Sequence, residues 1–129
     1  MALPKESLQL QGLRGATTSP CNEAEAIESS VTELISELVE RNGLKPEQIV
    51  SITFSVTTDL TACFPAAVAR RQPGWGNVAL IDCQQMYVEG DLKNCIRILA
   101  HVLLPINQKP QHTYLGDAIL LRPDRSNNN

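Results

Sequence analysis

The sequence predicts an α/β domain, and three patterns carry that expectation. Ile49 to Val56 alternates strictly, with Val50, Ile52, Phe54 and Val56 on one face and Ser51, Thr53 and Ser55 on the other. That is the period of a half-buried strand. Ala24, Ile27, Val31, Leu34, Ile35, Leu38 and Val39 recur at helical spacing and define one apolar stripe. Between Val78 and Val102, two apolar runs flank a polar, glycine-containing crossing, which reads as two further strands.

At 129 residues the chain is expected to form a single domain with its own core. Its hydrophobic content of 43% is ordinary, and so few aromatic residues make that core mainly aliphatic. A net charge of -3 and the absence of any basic stripe argue against non-specific nucleic-acid binding. The opening residues Met1 to Gln11 contain no continuous apolar run, so no secretory signal is expected. No apolar stretch reaches membrane-spanning length, and a soluble, cytoplasmic chain is the expectation. Cys21, Cys63, Cys83 and Cys95 match no zinc spacing, and only His101 and His112 could assist them. No nucleotide-binding glycine loop and no nucleophile–histidine pairing is visible, so no metal or cofactor is expected.

Taken in order, Met1 to Ser7 reads as a mobile leader. Leu8, Leu10 and Arg14 share one face of a first strand, with Gln9 and Gln11 on the other. Gly15, next to that arginine, would let a ligand or another backbone approach closely. Asn22 with Glu25 reads as a capping box opening the long helix, and Asn42-Gly43 ends it. Lys45-Pro46-Glu47 is a turn, and Thr57-Thr58-Asp59 breaks the strand that follows. Pro65 suits the first turn of a second helix ending at Pro73-Gly74, and Trp75 reads as a packing anchor. Arg71, in the last turn, suits the helix dipole. Val78 to Ile81 and Ile96 to Val102 are the next strands, with Cys95 a small buried hydrophobe. His112 to Leu121 fits a short helix or a strand equally, and Ser126 to Asn129 is expected to be a mobile tail.

The chemistry suggested by the residues is cationic. Arg97 stands between Ile96 and Ile98, Arg14 has the parity of apolar neighbours, and Arg70 and Arg122 sit at the ends of elements. A guanidinium cannot discharge, so one packed among aliphatics needs an anion or a route by which its head reaches water. If the four converge, they form a pocket for a small polyanion such as a dicarboxylate, held by bidentate pairs.

The segments Leu13-Arg14-Gly15-Ala16-Thr17-Thr18, Thr58 to Ala66, Cys95-Ile96-Arg97, Tyr114-Leu115 and Leu121-Arg122-Pro123-Asp124 together resemble the AroH-class monofunctional chorismate mutases, the type found in Bacillus and Thermus. The similarity runs from about residue 10 to residue 125. It implies a mixed β-sheet with helices on one side, assembled as a trimeric pseudo-α/β barrel with active sites between neighbouring subunits. It also implies the Claisen rearrangement of chorismate to prephenate, on the route to phenylalanine and tyrosine. That reaction is intramolecular and needs no cofactor, in keeping with the lack of a triad, metal motif or nucleotide loop. By the same resemblance Arg97 faces the ether oxygen and a substrate carboxylate, Arg14 binds substrate, and Tyr114 hydrogen-bonds a carboxylate. Phe64, Ala66 and Arg70 form a cleft wall, Leu80 and Ile81 line the pocket, and Leu121 and Arg122 close over it.

The sequence departs from the family at two places. Where the family has a cysteine and, three residues on, a glutamate facing the substrate's ring hydroxyl, this chain has Asp82 and Gln85. The favoured reading is that Asp82 takes the glutamate's role while Gln85 keeps a neutral hydrogen bond. Two others stand beside it: Cys83 slipping into the cysteine's place, or reduced activity. Ala67 replaces a lysine often found at the pocket mouth, which should weaken capture more than chemistry. The enzyme reading competes with a non-catalytic chorismate or prephenate binder and with a Rid-type imine deaminase.

Overall fold

The computed structural model describes residues 7–121. Its elements run β1 (Leu8–Thr18), α1 (Ala24–Asn42), β2 (Ile49–Val56), α2 (Pro65–Arg70), β3 (Ala79–Gln84), β4 (Cys95–Pro105) and β5 (Thr113–Tyr114). Short 3-10 turns cover Pro46–Gln48 and Gly116–Leu121. The strands form one mixed sheet in the order β3-β2-β4-β1-β5. The central strand β4 runs antiparallel to both neighbours, whereas β3 on β2 and β5 on β1 are parallel. The architecture is therefore α+β.

Both helices lie on one face. Ile27, Val31, Leu34, Ile35 and Leu38 of α1 are buried with Val68 and Ala69 of α2 against Leu13, Ile52, Phe54, Ile96, Ile98, Ala100 and Val102. Burying each large aliphatic side chain contributes roughly 1.5–3 kcal/mol, enough to hold α1 flat on the sheet. Gly43 ends α1 in the left-handed conformation, φ 60°, and the next N–H, from Leu44, donates to the Val39 carbonyl. This is the stop that Asn42-Gly43 predicted. At its other end α1 starts one residue later than the expected cap implies. Glu23 is the N-cap, while Asn22 instead accepts from the Thr61 and Ala62 N–H groups and tethers the approach to α2. Trp75 is buried in the main core, as expected of an anchor, and Cys95 is fully buried.

Two strand faces differ from the sequence reading. Leu13 and Gly15, not Leu10 and Arg14, point at α1, so the even-numbered side of β1 is the open face of the sheet. The Leu8–Leu10–Arg14 parity was right, but the apolar members mark a face without helices: Leu10 is exposed. Likewise Arg97 does not lie among Ile96 and Ile98. Successive side chains on a strand point opposite ways, so the isoleucines enter the core and Arg97 emerges on the open face. In β2 an irregularity in pairing at Ile49/Ser51 buries Ile49 and leaves Val50 exposed, ending the alternation one residue early.

Gly15 is placed for a close approach, and the approaching group is a backbone. A Cβ there would stand 2.7 Å from the Thr113 carbonyl oxygen and 3.0 Å from Ile98 Cγ2. A methyl at this position therefore pushes β5 off β1. Gly15→Ala is expected to cost about 1–3 kcal/mol, read as a lower Tm; an unchanged melting curve would show that β5 shifts without strain.

Candidate active site

The open face carries two in-register rows. Pairing across the sheet aligns Cys83, Ser55, Arg97, Ala16 and Tyr114 in one, and Ile81, Thr53, Leu99 and Arg14 in the next. Arg14 and Arg97 are thus diagonal neighbours on adjacent strands, within reach of long side chains. With Tyr114, Thr53, Ser55 and Leu99 they line a concave cavity of about 330 Å³. Thr53 and Ser55 of β2 add hydroxyl groups to a lining that is otherwise mostly apolar.

Each of these side chains is held by its surroundings. The Arg14 N–H donates to His112 Nδ1 at 3.0 Å, fixing the approach to β5. Tyr114 is buried in a small cluster with Ala16, Cys95 and Ala118, and Leu121 packs against its edge. Burial pushes the Cys95 thiol up, with the nearby Arg97 guanidinium opposing the shift. Arg97 is half-exposed at its head, 4.0 Å from Asp91 Oδ2, while its Nε is buried without a partner among the described residues. The start of β4 is pinned by the turn after β2: the Cys95 N–H donates to Thr57 Oγ1, and the Asn94 N–H to the Asp59 carboxylate. Asn94 itself enters β4 with a left-handed backbone, φ 52°, a conformation asparagine tolerates.

A second group of expected site residues lies elsewhere on the same chain. Phe64, at the entrance to α2, is 72% exposed, and with Asp82 and Cys83 it lines a separate cleft of about 290 Å³. Ala66 is buried, Ala67 is half-buried and Arg70 is exposed on this side. Leu80 packs at the margin of the main core, and Ile81 projects onto the open face. Arg122 lies outside the described residues, as do residues 1–6 and the C-terminal tail.

Asp82 does not stand beside Arg97. Its Oδ1 accepts the Ala66 N–H at 2.9 Å, on the helix side of the sheet. Residues three apart along a strand face opposite ways, so a carboxylate moved from position 85 to 82 turns to the other surface. Cys83 is the residue that shares the row of Arg97. Gln85 lies just past β3, held by its N–H on the Val56 carbonyl, and its Nε2 donates to Asp91 Oδ2 at 2.9 Å. Asp91 was read only as part of the polar crossing, and Thr53 and Ser55 only as the polar side of a strand. A carboxylate directly after the crossing's glycine was the available signal for Asp91.

The fold and this arginine-lined cavity define a sheet-based enzyme for a small anionic substrate, and the comparisons specify it. Residues 10–125 match the family described as chorismate mutase type I. The chorismate mutase AroH of Bacillus subtilis (strain 168) is 38% identical over 120 residues, 92% of this chain and 94% of that protein. That of Thermus thermophilus is 38% identical over 117 residues, 89% and 95% of the two chains. The solved chorismate mutase from Clostridium thermocellum superposes with a TM-score of 0.80 at 40% identity, covering 85% of this chain and 98% of that one. The chain belongs to the type I chorismate mutases. It is an isomerase of aromatic amino-acid biosynthesis that converts chorismate to prephenate.

Burial raises the Asp82 carboxyl above its ordinary value, against the opposing effects of the Ala66 hydrogen bond and the Arg70 charge. A raised folded value means the group contributes most when protonated in both states, and loses that contribution as pH rises through it. Asp82→Asn keeps an acceptor for Ala66 without the charge. The variant should therefore gain stability relative to wild type between about pH 4 and pH 7. Urea unfolding at both ends of that range checks it; a gap moving the other way would mean the charged form is favoured by the fold.

Proposed function

We propose that catalysis rests on holding chorismate in its compact reactive conformer with the Arg97 guanidinium against the ether oxygen. As the C–O bond breaks, negative charge grows on that oxygen, and a fixed cation there favours the transition state over the ground state. Arg14 and Tyr114 bind a substrate carboxylate on the same face. No proton need move, so positioning and charge do the work. We propose further that the complete site forms in a homotrimer. The Arg14–Arg97–Tyr114 face of one subunit meets the wall of Phe64, Ala66, Arg70, Leu80, Ile81 and Asp82 on the next, and Leu121 and Arg122 close over it. The enzyme works in the cytoplasm, the compartment the sequence favours.

The observation that carries this reading is the division of the site. One half is a cationic cavity open on the sheet face that neither α1 nor α2 covers, and the other is a large exposed aromatic beside a cleft at the far edge. Leu10 and Leu99 are both exposed around the first half, an apolar surface of the kind that subunits bury.

Purified protein should deplete chorismate absorbance. Arg97→Ala should lower kcat by about 10²–10³-fold, whereas Arg70→Ala should act mainly on KM; equal losses in kcat would remove Arg97 from the ether oxygen. The shared site has its own test. An Arg97→Ala chain and a Phe64→Ala/Arg70→Ala chain, each crippled alone, are mixed unfolded and refolded together. Each mixed ring then holds one interface with both halves intact, so random mixing should restore roughly a quarter of wild-type activity. No recovery, in a sample that sediments as a trimer, would place the whole site within one subunit.

A further inference from the structure

We infer that Asp91 is the carboxylate of this active site, acting as a positioning residue that sets the Gln85 amide and balances Arg97. The inference rests on the chorismate reading of the cavity and adds to that site a residue that lines a separate cleft with Gln85 and Thr57 and reaches the cavity through Arg97.

The geometry is specific. Asp91 follows Gly90, φ 83°, in a tight turn closed by its own N–H on the Val88 carbonyl, and its Oδ1 accepts the Leu92 N–H at 2.8 Å. Both backbone contacts hold the carboxylate in one place. Its Oδ2 takes the Gln85 amide nitrogen at 2.9 Å and lies 4.0 Å from the Arg97 guanidinium. An amide has one donor end and one acceptor end, and a carboxylate only accepts. Asp91 therefore dictates which way Gln85 turns: nitrogen toward Asp91, oxygen away from it. That oxygen, Gln85 Oε1, is buried without a partner among the described residues, and so is Arg97 Nε.

Burying two polar atoms without partners carries a desolvation cost, which a bound molecule can recover. One atom is an acceptor and the other a donor. A substrate with a hydroxyl beside anionic oxygens meets both. Gln85 Oε1 accepts from the ring hydroxyl of chorismate, and Arg97 Nε donates to an oxygen of the substrate. In this arrangement the negative charge sits one residue behind the hydroxyl-binding group, on Asp91, where it offsets Arg97 without repelling the substrate's own carboxylates.

Exchanging the two groups tests this. Asp91→Asn removes the charge and frees Gln85 to flip, and should lower kcat about tenfold or more with an unchanged Tm. Gln85→Glu alone puts two carboxylates within hydrogen-bonding distance, so that they compete for one proton. It should introduce an ionisation into the kcat–pH profile that wild type lacks. Gln85→Glu/Asp91→Asn restores one carboxylate, one amide and the hydrogen bond between them, and should bring kcat to within about threefold of wild type. The inference is overturned if Asp91→Asn keeps wild-type kcat and KM across pH, or if the double variant is no faster than Asp91→Asn. A wild-type protein that leaves chorismate unchanged would overturn the substrate reading itself, before any variant is compared.

Discussion

Everything in this molecule hangs on the two-sidedness of β4. It is the central strand, paired along its length with β1 and β2, so its register fixes theirs. One set of its side chains, Ile96, Ile98, Ala100, Val102 and Leu104, fills the space under the helices. The alternate set, with Arg97 and Leu99, is thereby forced onto the other face. A slip of one residue would bury a guanidinium under α1 and expose five aliphatics. The cost of that error, several kcal/mol for the unpaired charge alone, is what makes the register unique. The same packing that specifies the fold also aims the cation.

Once β4 is fixed, its partners deliver the rest of the cavity by pairing alone. Ala16 lies opposite Arg97 and supplies no bulk, so Tyr114 from β5 can lean across it. Gly15 permits that strand to approach because nothing but hydrogen points at the Thr113 carbonyl. Thr53 and Ser55 enter from the other side through β2. The cavity is assembled from residues far apart in sequence but adjacent across one sheet, on segments made rigid by ladder hydrogen bonds. Such rigidity suits a reaction that asks the protein to hold a conformer and present a charge.

Much of this was legible in the sequence. The α1 stripe, the β2 alternation, the glycine stop and the Trp75 anchor were plain because each is a local pattern with one physical reading. The R-G-A-T-T and L-R-P-D segments carried the family. Faces were harder. Leu8 and Leu10 share Arg14's parity, and apolar residues were expected to mark the core; here they mark the uncovered face, which only Leu13 at the helix could reveal. Asp82 shows the same difficulty of reading a face. It replaces a carboxylate in composition, but three residues along a strand is an odd number, and it turned the group to the Ala66 side. Asp91 was hidden because its partnership with Gln85 and Arg97 depends on how a turn folds back, and no periodicity reports that.

The open face must satisfy two demands at once. It carries exposed aliphatics that favour contact with another subunit, and it carries arginines whose charge resists burial unless anions accompany them. Covering such a face completely would trap the guanidinium heads; leaving it bare would expose Leu10 and Leu99 to water. A partial cover would resolve the conflict, and the proposed trimer would supply one: apolar residues would meet a neighbour, while the cavity above Arg14 and Arg97 would stay open to a small anion that brings its own compensating charge. On this view assembly and substrate binding share one surface because the sheet has only one uncovered face to give. Asp91 fits the same logic. It offsets part of the Arg97 charge and, with Arg14, leaves a net cation for an anionic substrate to neutralise.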